Sequence, residues 1–351
     1  MINRQASATV NGFLLQAYFG IFFIFHGKIY KEIKNIKIEG VEDIVITYQD
    51  GSKDYIQVKT HLKPNHNFDG TKFKEALITL KEASENAAKD QIKVRRLIYA
   101  NNMRNQNIDK LNKMINNAEN PSLAFISNFH DEFTNEETAK LRKYFDEEPW
   151  ENFYISRIDE RFFKEGEMLP CLSNFFDEME IINFRETIYS KLKNIFMYNG
   201  KEQKKVIPMT DIAWICISKS FGISSKFNEF NNRFEDELSD IECFNIEDIL
   251  EIPEDLINVI ERCNDFLAIH QHMNKIKIKF MKESGERISQ KNLKEFIKIA
   301  SSEFKREGYL NIPPKCPEKD KEVIYLVFSY ITFVKLNSTQ KIYDEFNLSR
   351  M

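Results

Sequence analysis

The segment Ile38–His61 constrains this chain most, because it predicts two strands joined by a tight turn. Apolar and polar residues alternate in Val41–Tyr48 and again in Tyr55–Thr60, which is the period of a half-buried strand. Between them, residues 49–52 have the sequence Gln-Asp-Gly-Ser, and Asp and Gly favour a sharp reversal. The segment therefore predicts an antiparallel hairpin, and this pairing determines which side chains lie next to each other.

Pairing around that turn brings a carboxylate, an amide and an ammonium group to one end of the hairpin. Asp43 starts the first strand, so it is expected near Gln57 and Lys59 at the end of the second. Carboxylate and amide oxygens are hard ligands that suit Mg²⁺ or Mn²⁺. An ammonium group stabilises charge that develops on an oxygen during reaction. The sequence thus predicts a site that holds a divalent metal and stabilises an oxyanion.

The residues of the hairpin resemble a known nuclease signature, an acidic residue on one strand followed by (D/E/Q)-x-K on the next. Here the signature is Glu-Asp at 42–43 and Gln-Val-Lys at 57–59. It resembles the PD-(D/E)xK nuclease superfamily, and this variant is similar to effector nucleases of bacterial anti-phage systems. These include the nuclease domain of CBASS effectors and the A subunit of Lamassu systems. Residues 12–16, Gly-Phe-Leu-Leu-Gln, are also similar to the Gly-Phe-x-x-Gln opening of those domains.

The resemblance implies a role for each residue of the signature in cleaving a phosphodiester bond. Asp43 would bind the metal directly, and Gln57 would take the position that a second carboxylate commonly holds. The backbone carbonyl of Val58 would be a further ligand. Lys59 would lie near the attacking water and the scissile phosphate, where it lowers the pKa of the water or balances developing charge.

Four further residues are candidates, each with a structural interpretation beside the functional one. Glu42 and Glu39 would add the negative charge that Gln57 lacks, or they are ordinary charges at a strand start. Gln16 stands alone among apolar neighbours, so it either points to the site or bonds a backbone group. His61 follows the signature closely, where it would touch DNA phosphate or remain a plain surface residue.

Hydrophobic periodicity predicts the order of elements around the hairpin. Ala6–Phe25 predicts a buried helix, and its apolar run at 13–25 is shorter than the about 20 residues of a membrane span. Tyr30–Glu39 predicts a first strand or a loop leading into a shorter one, Thr71–Ala88 an amphipathic helix, and Lys93–Ala100 a further strand. The resulting αβββαβ order is that of the nuclease superfamily's core. We therefore expect an α+β or α/β fold with a mixed sheet.

The rest of the chain is expected to be mainly helical. Ser122–Phe129 predicts a short strand or buried turn, and Trp150–Ile158 predicts a strand that extends the sheet. Asn199-Gly200 with Pro208 predict a linker or turn. The predicted helices are Asn105–Asn117, Asn135–Phe145, Leu172–Tyr198, Met209–Phe221, Lys226–Leu238, Ile246–Ile252, Glu254–Lys282, Ser289–Glu307 and Lys321–Leu336.

Two domains are expected for a chain of 351 residues. The first is a PD-(D/E)xK-like nuclease domain over residues 1–160, and the second is a mainly α-helical partner-binding or regulatory domain over residues 161–351. The second domain looks too helical for the nucleotide-sensing domain of CBASS effectors. The resemblance therefore favours the Lamassu-type nuclease subunit.

Charge is distributed unevenly along the chain, whose net charge is −4. Residues 1–104 contain 16 Lys or Arg against 11 Asp or Glu, and the remainder contains 34 against 43. A basic first third suits a DNA-facing domain and an acidic remainder suits protein partners, with chance asymmetry as the alternative. Lys275–Lys282 is interpreted as a solvated helix face, with a DNA contact as the alternative. Glu235–Asp248 is interpreted as surface, as a mask for a basic groove or as a docking segment.

Other kinds of site are disfavoured by the sequence. The five cysteines are scattered without a C-x-x-C pair, which argues against a disulfide framework or cysteine-based zinc site and suits a reducing cytoplasm. His270 and His272 are two apart on a predicted helix, about 200° around it, so they diverge. No glycine-rich phosphate loop occurs, so the chain is not expected to hydrolyse ATP.

The resulting hypothesis is a cytoplasmic Mg²⁺-dependent endonuclease for double-stranded DNA that acts as the effector subunit of an anti-phage complex. In the Lamassu-like family, such a subunit is held by an SMC-like ATPase and a small accessory protein, and is released or clustered when phage DNA is sensed. A homo-oligomer would bring two sites together for a double-strand break. Two alternatives remain open: a stand-alone restriction-type endonuclease, and a degenerate nuclease fold that serves as a DNA-binding scaffold.

Overall fold

The computed structural model describes residues 4–38, 42–59, 69–102, 124–130, 135–147, 149–158, 169–179, 181, 185–201, 206–220, 266–334 and 336–346. Contacts divide the chain into two compact units. The first unit comprises Met1–Glu178 and Arg185–Ile212, and the second comprises Met179–Phe184 and Ala213–Met351.

A mixed sheet with flanking helices forms the first unit. The seven strands found among the described residues are β1 (Ile33–Ile38), β2 (Ile44–Tyr48), β3 (Lys53–Lys59), β4 (Val94–Asn101), β5 (Ala124–Asn128), β6 (Phe153–Ile158) and β7 (Val206–Pro208). The helices are α1 (Arg4–Phe25), α2 (Gly70–Lys89), α3 (Asn135–Arg142), α4 (Pro170–Glu178), α5 (Arg185–Lys201) and the start of α6 (Met209–Ser220), with a 3-10 helix at His26–Lys31. In space the strand order is β5-β6-β4-β3-β2-β1-β7.

The strand directions confirm the predicted αβββαβ order and the mixed sheet. β1, β2 and β3 are successive antiparallel neighbours, and Gly51 with a φ of +82° makes the turn between β2 and β3. β3 and β4 run parallel, and α2, which lies between them in sequence, packs against both. β6 extends the sheet beside β4, as Trp150–Ile158 predicted.

Helix α2 is fixed at its start and along one face. The Asp69 side chain accepts hydrogen bonds from the backbone N–H groups of Thr71 and Lys72, which caps the helix. One apolar face of α2 packs in a cluster with residues of β2, β3, β4 and β6. The buried residues of that face are Phe73, Ala76, Leu77, Leu80, Ala83 and Ala87. This packing places α2 over the face of β3 that carries Tyr55.

A buried ion pair ties three strands together near the start of β3. Asp54 is fully buried and accepts hydrogen bonds from Arg96 Nε at 2.8 Å and from the Tyr48 hydroxyl at 2.5 Å. Burial lowers the pKa of the Arg96 guanidinium, but the charge and hydrogen bond of Asp54 outweigh that effect and leave the pKa raised. Burial and the Asp54 charge both raise the pKa of Tyr48. The network joins β2, β3 and β4.

The second unit contains the described helices α7 (Phe266–Ser284), α8 (Gln290–Glu307), α9 (Glu318–Val334) and α10 (Leu336–Glu345), and the remainder of α6. Aromatic contacts join them, with ring centroids 5.4 Å apart for Phe280–Phe296 and 4.9 Å for Phe296–Phe333. The expected helical character of this region is confirmed. Among the described residues, no helix of either unit has both the length and the apolar character that crossing a bilayer requires.

One predicted helix of the first unit was wrong. Leu172–Tyr198 was predicted as one helix but forms two, α4 and α5. The prediction missed the break because buried apolar residues such as Met179 and Ile181 continue the hydrophobic period across it. Asn199-Gly200 lies near the end of α5 and Pro208 ends strand β7, so the linker or turn predicted between them falls on residues 202–205, outside the described residues.

The last helix, α10, was not predicted as a separate element. The residues Asn337, Ser338 and Thr339 in its first turn have low helix propensity. The predicted elements Asn105–Asn117, Lys226–Leu238 and Ile246–Ile252 lie outside the described residues, as does Glu235–Asp248.

Candidate functional site

Asp43, Gln57 and Val58 meet at the open end of the β2–β3 hairpin. The register pairs Ile44 with Ile56, so Asp43 lies beside the next residue of β3. Oδ2 of Asp43 accepts a hydrogen bond from Gln57 Nε2 at 2.5 Å and from the Val58 backbone N–H at 2.7 Å. The antiparallel pairing inferred from the sequence therefore places the carboxylate against the strand that carries the Gln-Val-Lys residues.

Lys59 ends β3 on the same face of the strand as Gln57, because side chains two residues apart point to the same side. Its side chain is 23% exposed, and Nζ lies 4.0 Å from Glu75 Oε2 on α2. The positive charge of Lys59 also lowers the pKa of Glu42. The ammonium group is thus close enough to the acidic pair to influence its charge while remaining accessible to a ligand.

Helix α2 contributes residues that the sequence prediction missed. The Thr79 hydroxyl donates a hydrogen bond to Gln57 Oε1 at 3.0 Å and lies within 3.1 Å of the Ala76 carbonyl. Glu82, one turn further along α2, raises the pKa of Glu42 through its charge. A βαβ crossover places its helix over the preceding strand. The polar residues beside the apolar face of α2 could therefore have been predicted to lie near the site residues of β3.

Glu42 is the most unusual ionisable group of the site. Only 4% of the residue is exposed, and its Oε2 has no hydrogen-bond partner among the described residues. Burial raises the pKa of this carboxyl to about 8, with a further rise from the neighbouring Asp43 charge. Lys59 and a hydrogen bond with Thr79 act in the opposite direction. With no metal ion bound, Glu42 is therefore mostly protonated at pH 7.

These two adjacent carboxyl groups fit a hard divalent cation. The orphaned Glu42 oxygen lacks a positive or donating partner, and a cation would supply one. Within the described ranges, no three His, Cys, Asp or Glu side chains are grouped to hold a metal, so substrate oxygens or water would complete the ligand set. Gln57 turns its amide nitrogen to Asp43, and Val58 its N–H, so both support the Asp43 carboxylate in this structure.

The roles of the remaining candidates stay predictions. Gln16 is buried in α1, while Glu39 and His61 lie outside the described residues. His270 Nε2 lies 2.7 Å from Gln340 Oε1, and His272 Nδ1 lies 3.0 Å from the Tyr309 hydroxyl. The two histidines therefore have separate partners and do not converge, as their helical spacing predicted.

Comparison with protein families gave one match that covers this site. Residues 6–73 match the family model described as Cap4, dsDNA endonuclease domain. No curated protein and no solved structure matched the chain. The matched range runs from α1 through the β2–β3 hairpin to the start of α2, and so includes Asp43, Gln57 and Lys59. The match is confined to residues 6–73, which are therefore similar to a Cap-type nuclease domain.

Proposed function

We propose that the chain is a metal-dependent endonuclease that cuts double-stranded DNA in anti-phage defence, with Asp43, Gln57 and Lys59 at its centre. The single observation that supports this most is the contact of Asp43 with Gln57 and Val58 inside the range that matches the Cap4 nuclease domain. The basic character of residues 1–104 adds an attraction for a polyanionic substrate.

In the proposed mechanism, Asp43 and Glu42 hold the metal, which is Mg²⁺ or Mn²⁺. A bound divalent cation supplies Lewis-acid stabilisation of the scissile phosphate and lowers the pKa of a water ligand. Lys59 contributes a fixed positive charge where the phosphate gains negative charge. Gln57 holds the Asp43 carboxylate in place, and the Thr79 hydroxyl holds the Gln57 amide.

The proposed function is tested by plasmid cleavage with purified protein in Mg²⁺ or EDTA. We expect cutting by the wild type in Mg²⁺, and a loss of at least about 100-fold in Asp43→Asn and Lys59→Ala, because each removes a charge that acts in the transition state. The matched controls are Asp90→Asn and Lys34→Ala, which make the same changes at exposed positions. Equal loss in the controls, or cutting that persists in EDTA, would contradict the proposal.

We also propose that partner proteins control the nuclease through the helical second unit. The resemblance to Lamassu-type subunits supports an SMC-like ATPase and a small accessory subunit as these partners, and clustering of this chain as the active state. Two copies would then supply one site for each DNA strand. If so, the ratio of linear to nicked plasmid should rise with protein concentration, and a constant ratio would argue against clustering.

The two alternative functions give different results in the same assays. A restriction-type endonuclease would give discrete fragments from a long DNA without any partner. A degenerate scaffold would bind DNA equally well in the wild type and in Asp43→Asn, without Mg²⁺ dependence and without cutting when the partners are added.

A further inference from the structure

The helical hairpin of α7 and α8 carries a concentration of positive charge that the nuclease site does not explain. Residues 266–307, here called the basic hairpin, contain ten Lys or Arg against five Asp or Glu. The chain as a whole has a net charge of −4. Positive charge is therefore concentrated in one pair of helices within the second unit.

The lysines of α7 are placed on one exposed face of the helix. Lys275, Lys279 and Lys282 follow the i, i+4, i+7 spacing and are all exposed. The opposite face is buried, with Met273, Ile276 and Phe280 in the core. The packing of α7 thus directs its lysines away from the core.

Helix α8 repeats this arrangement. Lys291, Lys294 and Lys298 are exposed at i, i+3, i+7 spacing, whereas Phe296 and Ala300 are buried. The connection between the helices, residues 285–289, adds the exposed Arg287. Each helix therefore presents a separate row of cations.

Most of these cations are not neutralised within the protein. Lys275, Lys282, Lys291 and Lys298 form no ion pair with the described residues, and Lys279 lies 4.0 Å from Glu283. By contrast, the basic residues at the end of α8 are engaged, with Lys305 paired to Glu318 and Arg306 paired to Glu303. Lys275, Lys282, Lys291 and Lys298 thus keep their charge available for an external anion.

We propose that the basic hairpin is a second DNA-binding surface that holds the phosphate backbone of duplex DNA without reading its sequence. Rows of lysines on helix faces match a polymer with evenly spaced negative charges, and such contacts are independent of base identity. This inference rests on the proposed function only in taking duplex DNA as the ligand. Through this surface, the second unit would keep DNA bound whether or not the nuclease site holds metal.

The test is binding of a fluorescent 30-base-pair duplex to the full chain in EDTA, followed by anisotropy at several salt concentrations. One variant carries Lys275→Gln, Lys279→Gln and Lys282→Gln, and a second carries Lys291→Gln, Lys294→Gln and Lys298→Gln. We expect each triple variant to bind about tenfold or more weakly, with a salt dependence reduced by about two to three ion contacts. Circular dichroism checks that both variants remain folded.

The matched control removes three exposed lysines from the same unit outside the hairpin, at Lys315, Lys319 and Lys341. Its affinity should stay within about twofold of the wild type, since phosphate contacts require the cation rows. Equal weakening in the control, or no weakening in the hairpin variants, would overturn the proposal.

A further variant separates DNA from a protein ligand. Ile278 is 54% exposed between the lysines of α7, and a protein partner would bury it, whereas a phosphate backbone offers no apolar pocket. Ile278→Gln should leave duplex affinity unchanged, and a loss as large as that of the lysine variants would contradict binding through phosphate contacts alone. The plasmid assay tests the proposed nuclease activity separately. Duplex binding that depends on the basic hairpin, without cleavage, would contradict the nuclease activity and support this inference. Cleavage with hairpin-independent binding would do the reverse.

Discussion

Glu42 and Asp43 are adjacent carboxyl groups, and Oδ2 of Asp43 accepts hydrogen bonds from Gln57 and from the Val58 backbone N–H. Glu42 is buried beside it with an oxygen that no described residue satisfies. The local sequence of two acids before a strand thus gives two different environments. Donors hold the Asp43 carboxylate in place, whereas burial makes the ionisation of Glu42 cost free energy.

The first prediction concerns the pH dependence of stability. The pKa of Glu42 is about 8 in the folded chain and about 4.3 when unfolded, so the folded state binds the extra proton between these values. The stabilisation is complete below about pH 4 and is lost as pH rises towards 8. The free energy of unfolding should fall by up to about 1.4 kcal/mol per pH unit in that window, measured by urea titration in EDTA.

Two variants check that this dependence belongs to Glu42. Glu42→Gln cannot ionise and should flatten the stability profile, so that it is more stable than the wild type at pH 8 in EDTA. Glu85→Gln, at an exposed position of α2, should leave the profile as in the wild type. Parallel profiles for the wild type and Glu42→Gln would show that the Glu42 carboxyl does not carry the effect.

The second prediction concerns Thr79, whose hydroxyl donates to Gln57 Oε1. Thr79→Val keeps the shape but removes that donor, so the Gln57 amide loses the contact that fixes its orientation. Cleavage should fall about fivefold, as expected for one lost hydrogen bond of about 1 kcal/mol. Thr79→Ser keeps the hydroxyl and should restore most of the rate, and an equal loss in both variants would assign Thr79 a packing role instead.

At the scale of elements, the β2–β3 hairpin and helix α2 were predictable because each has a clear hydrophobic period. The hairpin also has a turn residue, Gly51, and the helix a capping residue, Asp69. The contact between Gln57 and Asp43 also followed from strand pairing alone. Thr79 did not, because its place depends on how the βαβ crossover rotates α2 over β3. The break between α4 and α5 and the short strand β7 also escaped, since hydrophobic period does not record where a buried chain changes direction.

The third prediction concerns the ion pair between Arg96 on β4 and Asp54 on β3, where Asp54 lies three positions before Gln57. Arg96→Met leaves the Asp54 charge buried without its partner and should destabilise the first unit by about 3–5 kcal/mol. The double variant Asp54→Asn with Arg96→Met removes both charges and should be clearly more stable than Arg96→Met alone. Chemical unfolding measures the stability of the double variant and of the single variants Arg96→Met and Asp54→Asn. If the destabilisation of the double variant equals the sum of the two single effects, the pair is not coupled.

At the scale of the molecule, the first unit extends past α3 and β6 to include α4, α5 and β7, and α1 packs against both α4 and α5. β7 pairs with β1 and covers an edge of the sheet that would otherwise be open. The sheet of the first unit is therefore assembled from segments far apart in the chain.

The fourth prediction follows from that assembly. A fragment of residues 1–212 should be soluble and fold cooperatively, because it contains every described element of the first unit's sheet. A fragment of residues 1–160 lacks β7, α4 and α5, so it exposes the edge of β1 and one face of α1 and should aggregate. Size-exclusion chromatography and thermal unfolding distinguish them, and equal behaviour would mean that residues 161–212 are dispensable for folding.

Strand β7 also has a consequence for synthesis on the ribosome. The residues of the candidate site occupy positions 42 to 82, yet the strand that completes their sheet is residues 206–208. A nascent chain therefore contains all of its proposed site residues long before it can add the edge strand β7 to the sheet that supports them. The order of the sequence itself thus delays the appearance of a complete nuclease unit until more than half of the polypeptide has been translated.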